Sequence, residues 1–195
     1  MFSGMTNKRL ILASSSPRRI ALLKTLGYPF DVMSHDTEEC VSHHVSPEDL
    51  VQRLALQKAE DVAQRVGNAV IIGADTIVLL NHCILGKPAD EFDAHRMLSM
   101  LSDAEHEVLT GVCLVETPSK KKSLRFGRTQ IKMRHISGEE INAYVKSGEP
   151  MDKAGAYAIQ GSGSRFIEKI TGSYSNVVCL PLELLKDMLD HFLND

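Results

Sequence analysis

Apolar residues fall along this chain in blocks whose period changes from one block to the next. Residues 9–14 form an apolar run of the kind a buried strand makes, and Pro17 to Leu26 reads as a helix closed by Gly27. The stretch PFDVMS (29–34) is a second short strand. Ser46 and Pro47 open a long helix. Ser46 caps it, Pro47 takes its first position, and Asp49 stands as an acidic variant of the capping box. That helix runs to about Val66 and ends at Gly67. Ala69 to Asp75 is continuously apolar until its last residue, as in a strand covered on both faces, and TIVLLNHCILGKP continues it and then turns.

Asp90 to Leu101 is helical, with Ala94, Met97, Leu98 and Leu101 on one face. HEVLTGVCLVET (106–117) and SLRFGRTQIKMRHI (123–136) read as a hairpin around PSKKK, whose lysines form a solvated tip. Arg128, Lys132 and Arg134 fall on the solvent side of its second strand. Ser137 with Glu140 is a full capping box opening a helix to Ser147. The segment from Gly148 to Phe166 is turn-rich, 167–181 is irregular or strand, and Pro181 starts a C-terminal helix. Strands and helices are interspersed, so the expected class is α/β: a mixed central sheet with flanking helices.

Composition narrows the function. With 195 residues the chain suits one domain, or one domain with two lobes around a cleft. A net charge of −3 and 5% aromatic residues argue against a nucleic-acid-binding surface. No apolar stretch approaches membrane-spanning length, and the first residues lack a signal-peptide pattern. The four cysteines form no CxxC pair and read as reduced thiols of a cytoplasmic protein. CVSHH (40–44) matches no standard zinc spacing and reads as a loop.

Three placements ask for a chemical reason. Arg18 and Arg19 stand in the first turn of a helix, the end that the macrodipole makes positive. A bound phosphate would remove the conflict, with the first-turn N–H groups, the guanidinium forks and Ser14, Ser15 and Ser16 as donors. The alternative is a solvated helix that tolerates its arginines. Lys58 lies on or beside the apolar stripe of the long helix, where it either snorkels to water or meets an anion. Asp75 ends the most apolar strand. A carboxylate there can hold a hard cation, take a proton from water, or cap a turn. Lys87 in LGKP, and Glu38 and Glu39 in the loop after the second strand, fall within reach of the same crevice. No Walker A loop, dinucleotide fingerprint or nucleophile elbow is present.

The motifs LASSSPRR, RLALQKA, GADTIV, LGKP, GEPMDKAGAYAIQG and GSYSNVVCLP, in this order and spacing from Leu10 to about Leu185, resemble the Maf family of nucleotide pyrophosphatases. Each motif alone is weak, and the ordered set is specific. The resemblance implies one Maf-like domain over 1–195, with residues 1–8 a flexible N-terminal extension, and a fold similar to the inosine triphosphate pyrophosphatases. It implies hydrolysis of a nucleoside triphosphate to the monophosphate and pyrophosphate, with a divalent metal, Mg2+ or Mn2+.

By motif position, the resemblance makes Asp75 the proton acceptor and Lys58 and Lys87 catalytic. Ser14, Arg18 and Arg19 bind phosphate, Arg18, Thr76 and Gln160 choose the base, and Glu39 with Asp75 takes the metal; whether Asp75 is base, metal ligand or both is left open. SPRR, ADT and IQG match the branch that acts on dTTP and UTP. The alternatives are the branch that prefers 7-methyl-GTP, and a non-catalytic nucleotide-binding regulator of cell division. A homodimer is left open. Cys179 stands where the family's VVGLP has a glycine, which marks the local backbone there.

Overall fold

A computed structural model describes residues 8–36 and 45–194. Its strands are β1 (Arg9–Leu12), β2 (Asp31–Val32), β3 (Ala69–Leu80), β4 (Cys83–Leu85), β5 (Glu105–Glu116), β6 (Lys122–Met133) and β7 (Ile167–Thr171). Its helices are α1 (Pro17–Lys24), α2 (Pro47–Ala63), α3 (Glu91–Leu101), α4 (Gly138–Lys146), α5 (Tyr174–Val178) and α6 (Leu182–Asn194). The sheet runs β2-β1-β3-β5-β6-β7, with β4 paired to β3. β1 is parallel to β2 and β3, while β4 on β3 and β7 on β6 are antiparallel, so the sheet is mixed, as expected.

The helix starts follow their side chains. Ser46 accepts from the Asp49 N–H at the head of α2, and Ser137 with Glu140 closes a complete capping box at α4. Asp90 does the capping work for α3, accepting from the Asp93 N–H. The C-terminal parts are less regular than their patterns. Gly148 to Phe166 forms three 3-10 turns, and the stretch after β7 contains the short α5, which its sequence hides because five residues carry no helical period.

The chain divides into two compact units, 1–75 with 110–127 and 179–195, and 76–109 with 128–178. In the first, β1 and the first half of β3 bury Leu10, Leu12, Val70 and Ile72 against α1 and α6, through Leu23, Leu185 and Leu189. On the opposite face Ile11 and Ile71 meet Ala55, Ala59 and Val62 of α2. Two glycines set how closely α2 lies on the sheet. A Cβ on Gly73 would stand 2.1 Å from the Ala55 carbonyl oxygen and 2.9 Å from the Ala59 Cβ, and one on Gly111 would stand 2.1 Å from the Val51 carbonyl oxygen. No side-chain layer separates helix and strands at these two points.

In the second unit a separate core packs Val78, Leu85, Leu98, Leu101, Ile131, Tyr144 and Phe166. Arg128, Lys132 and Arg134 do face outward, where they pair with Glu107, Asp103 and Glu140. In the first unit the lysine tip is not wholly solvated. Lys121 lies 4.7 Å over the Phe192 ring and donates to its carbonyl, and Lys122 pairs with Glu60. Of the proposed extension over 1–8, only Lys8 is described, and it is paired with Glu116.

Candidate active site

In the first unit, β1 stops pairing with β3 at Leu12 opposite Ile72, with one further bond from the Ala13 N–H to the Ile72 carbonyl. Just past this point the chain turns into α1. The Ser14 hydroxyl accepts from the Ser16 N–H and from the Arg19 guanidinium at 3.4 Å, and Arg19 Nε donates to the Cys179 carbonyl at 3.2 Å. Ser16 caps α1 through the Arg19 N–H, and no acidic residue stands in that first turn. Ser14 is buried, and Arg18 and Arg19 are half-buried.

Asp75 does not end a strand. It lies inside β3, which continues to Leu80 because Ile77 to Leu80 are themselves buried. What ends nearby is the parallel neighbour, three residues earlier in register. Residues 71, 73 and 75 share the face that meets α2. Gly73 lets the helix in against Ala55 and Ala59, and Lys58, between them on the helix, meets Asp75 one step along the strand. Lys58 Nζ donates to Asp75 Oδ1 at 2.5 Å, with both residues buried. Lys58 therefore neither snorkels nor sits at the edge of the stripe. It is buried within the stripe.

The second unit holds Thr76, Lys87 and Gln160. Thr76 is half-buried on β3, next in sequence to Asp75. Lys87 is exposed in the loop after β4, and the preceding Gly86 carbonyl accepts from the Gly155 N–H at 3.0 Å. Gln160 is exposed, whereas Tyr157, Ala158 and Ile159 before it are buried. Glu39, with Glu38, Cys40 and the two histidines of CVSHH, lies outside the described residues. Among the described residues no three His, Cys, Asp or Glu side chains gather as a metal site.

A polar network fastens the chain on both sides of Gln160. Glu149 Oε2 accepts from the Ser162 N–H at 3.2 Å and the Ser162 hydroxyl at 2.5 Å. Its Oε1 accepts from the Gly163 N–H at 3.2 Å and the Tyr144 hydroxyl at 3.0 Å. Tyr144 in turn accepts from the Ala158 N–H at 3.2 Å. Burial by itself would raise the Glu149 carboxyl, but the bonds from Ser162, Gly163 and Tyr144 outweigh it and hold the group below its ordinary value. Burial raises the Tyr144 phenol above its usual range. Beneath the same segment His106 Nε2 lies 2.8 Å from the Tyr157 hydroxyl, and burial lowers this imidazole to about 4. The one sequence signal for this network was an acidic residue inside a Gly/Pro-rich segment.

Cys179 adopts φ +127°, a conformation that favours glycine, at the position where the family motif has one. Its carbonyl is the one that holds Arg19.

A family model described as "Maf-like protein" matches residues 9–192. A dTTP/UTP pyrophosphatase of Dictyoglomus turgidum is 51% identical over 186 residues, 95% of this chain and 96% of the relative. One of Alkaliphilus oremlandii is 49% identical over 187 residues, covering 95% and 97%. Another, of Bacillus cereus, is 45% identical over 190 residues, covering 97% and 92%. With the model matched from the first strand to the last helix, and with relatives about half identical along nearly their full length, this chain belongs to the Maf family.

Proposed function

We propose that the protein hydrolyses dTTP and UTP to the monophosphate and pyrophosphate. The observation that carries this is the agreement, along nearly the whole chain, with relatives named for that activity. The two units are read as lobes of one Maf-like domain. Phosphate roles fall on Ser14, Arg18 and Arg19 of the first unit, and base choice falls on Arg18 there and on Thr76 and Gln160 of the second. Lys58 orients Asp75, which serves as the proton acceptor, as a metal ligand or as both, and Lys87 adds positive charge toward the triphosphate. The work is positioning together with electrostatic stabilisation of a charged phosphorus centre.

A divalent cation, Mg2+ or Mn2+, belongs to this reading. A Mg2+ ion that keeps several waters and rides on phosphates asks for only one or two carboxylates, and the single described candidate, Asp75, fits that demand. Asp75 and Glu39 would hold it, and when bound it would neutralise phosphate charge. We place the protein in the cytoplasm, with its nucleotide substrates. No helix among the described residues is long and apolar enough to cross a membrane.

Pyrophosphate release measured across dTTP, UTP, CTP, the purine triphosphates and 7-methyl-GTP, with Mg2+ and with Mn2+, tests the reading. Fastest turnover of dTTP and UTP supports it. Faster turnover of 7-methyl-GTP assigns the other branch, and no turnover of any nucleotide favours the regulator.

A further inference from the structure

We propose that Glu149 is a positioning residue for nucleobase choice, holding the segment 158–163 so that Gln160 stands in one fixed place at its crest. This rests on the proposed role of Gln160 in choosing the base.

An ionised carboxylate offers about four acceptor positions. Four donors already converge on Glu149: two from Ser162, one from Gly163 and one from Tyr144. A carboxylate occupied in this way has nothing left for a metal or a substrate proton. Its function is to hold chain. The chain it holds is a bend running into a 3-10 turn, outside any strand ladder that would fix it. Tyr144 extends the grip to the Ala158 N–H, so the segment is fastened at 158, 162 and 163, on both sides of Gln160.

The backbone at Gly161 favours glycine, and an added Cβ would push the carboxylate aside. Gly161 has φ +127°, and a Cβ there would stand 2.6 Å from Glu149 Oε1. Tyr144 is itself fixed, edge-on against Phe166 with ring centres 5.1 Å apart. A glutamine amide discriminates between bases only if it meets their edge in one position. A side chain on an unfastened loop would follow whichever base arrived.

Four variants test this: Glu149→Gln, Tyr144→Phe, Gln160→Ala and the double Glu149→Gln/Gln160→Ala. Glu149→Gln puts an amide NH2 against a cluster of donors. Its KM for the preferred nucleotide is expected to rise about tenfold or more, with kcat falling much less, and the preference over CTP narrows by about the same factor. Tyr144→Phe moves the ranking in the same direction, which keeps the test open if Glu149→Gln does not fold. Because Glu149 acts through the segment that carries Gln160, the double variant should shift the ranking by less than the two single shifts combined. An unchanged ranking in both Glu149→Gln and Tyr144→Phe overturns the inference. So does an equal loss of kcat for every nucleotide, or effects that add in the double variant. A wild-type preference for a nucleotide other than dTTP or UTP overturns the proposed function instead. The ranking shift and the double variant still decide the inference.

Discussion

Lys58 Nζ lies 2.5 Å from Asp75 Oδ1, with the two side chains only 6% and 8% exposed. Such a pair adds little net stability, because desolvation offsets the attraction, but removing one partner leaves the other charge buried without its ion pair, at a cost of about 3–5 kcal/mol. The sequence alone suggests that Asp75→Asn keeps the fold and loses turnover, and the pairing changes that expectation. Asp75→Asn should lose turnover by about 10²–10⁴-fold through the missing base and should also melt lower. Lys58→Met should melt lower too. The double variant Lys58→Met/Asp75→Leu should recover most of the melting temperature and none of the turnover. Either single variant melting with the wild type would show that the buried ion pair does not contribute in this way.

The glycine that lets these two residues meet is predicted to be sensitive. Gly73→Ala places a methyl 2.1 Å from a backbone oxygen of α2, which no rotamer change relieves. The helix must lift, at a cost of about 3 kcal/mol or more, and Lys58 lifts with it. Both stability and turnover should fall. Gly67→Ala is the control: nothing lies within 4 Å of its added Cβ, and the melting temperature should hardly move. Equal melting of the two variants would contradict the close approach.

Much of this fold is legible in the sequence where local chemistry and burial agree. Ser46, Ser137 and the apolar face of α3 are such places, because cap, period and core all favour the same element there. Asp75 misleads because a polar residue in an apolar run looks like an end. Only the partner on α2 explains a carboxylate inside β3. Gly73 and Gly111 likewise look like weak points of strands until the helix backbone above them is known. Lys121 reads as a solvated tip because its partner, Phe192, lies 71 residues away. The Glu149 network joins α4, two 3-10 turns and a residue between them, and no spacing rule links residues 144, 149, 158 and 162.

Cys179 is held at φ +127°, where a non-glycine residue stores strain of about 1–3 kcal/mol. Cys179→Gly relieves it, against a loss of about 0.5–1 kcal/mol from the freer unfolded chain and the lost buried thiol. The net expectation is a gain of about 1 kcal/mol, read as a higher melting temperature with turnover retained, since the carbonyl that holds Arg19 stays in place. A lower melting temperature would show that the thiol's packing outweighs the strain.

His106 gives stability a pH dependence of definite sign. Burial lowers its pKa from 6.5 to about 4. Between those values the unfolded chain binds a proton that the folded chain does not. Its contribution is therefore complete above pH 6.5 and is lost as pH falls toward 4, by up to roughly 3 kcal/mol. Glu149, also depressed, adds its loss only below about 4.5. The melting temperature should drop between pH 6.5 and 4.5, before the carboxylates respond. His106→Phe should melt lower at pH 7, having lost the bond to Tyr157, and should show a shallower slope over that window. A flat wild-type profile there would mean that His106 is not buried in its neutral form.

The base itself gives the remaining test. Thymine and uracil present an N3–H donor beside the O4 acceptor, and a glutamine amide can answer both. Cytosine reverses that edge, and an amide free to flip could follow it, so Gln160 alone does not exclude CTP. A backbone N–H cannot flip. In the QGSG turn, however, the N–H groups of Ser162 and Gly163 are already given to Glu149, which leaves those of Gln160 and Gly161 as the donors to consider. A fixed donor set against the cytosine amino group leaves two donors facing each other, and sites built on buried hydrogen bonds discriminate strongly against such mismatches. We therefore expect dTTP and UTP to be cleaved well, CTP less well and purines least. Gln160→Glu keeps an acceptor for N3–H but turns a carboxylate on O4, so KM for dTTP and UTP should rise while CTP, whose amino group can donate to that carboxylate, should gain. Steady-state kinetics on the three pyrimidine nucleotides would measure this, and an unchanged order after Gln160→Glu would remove Gln160 from base choice.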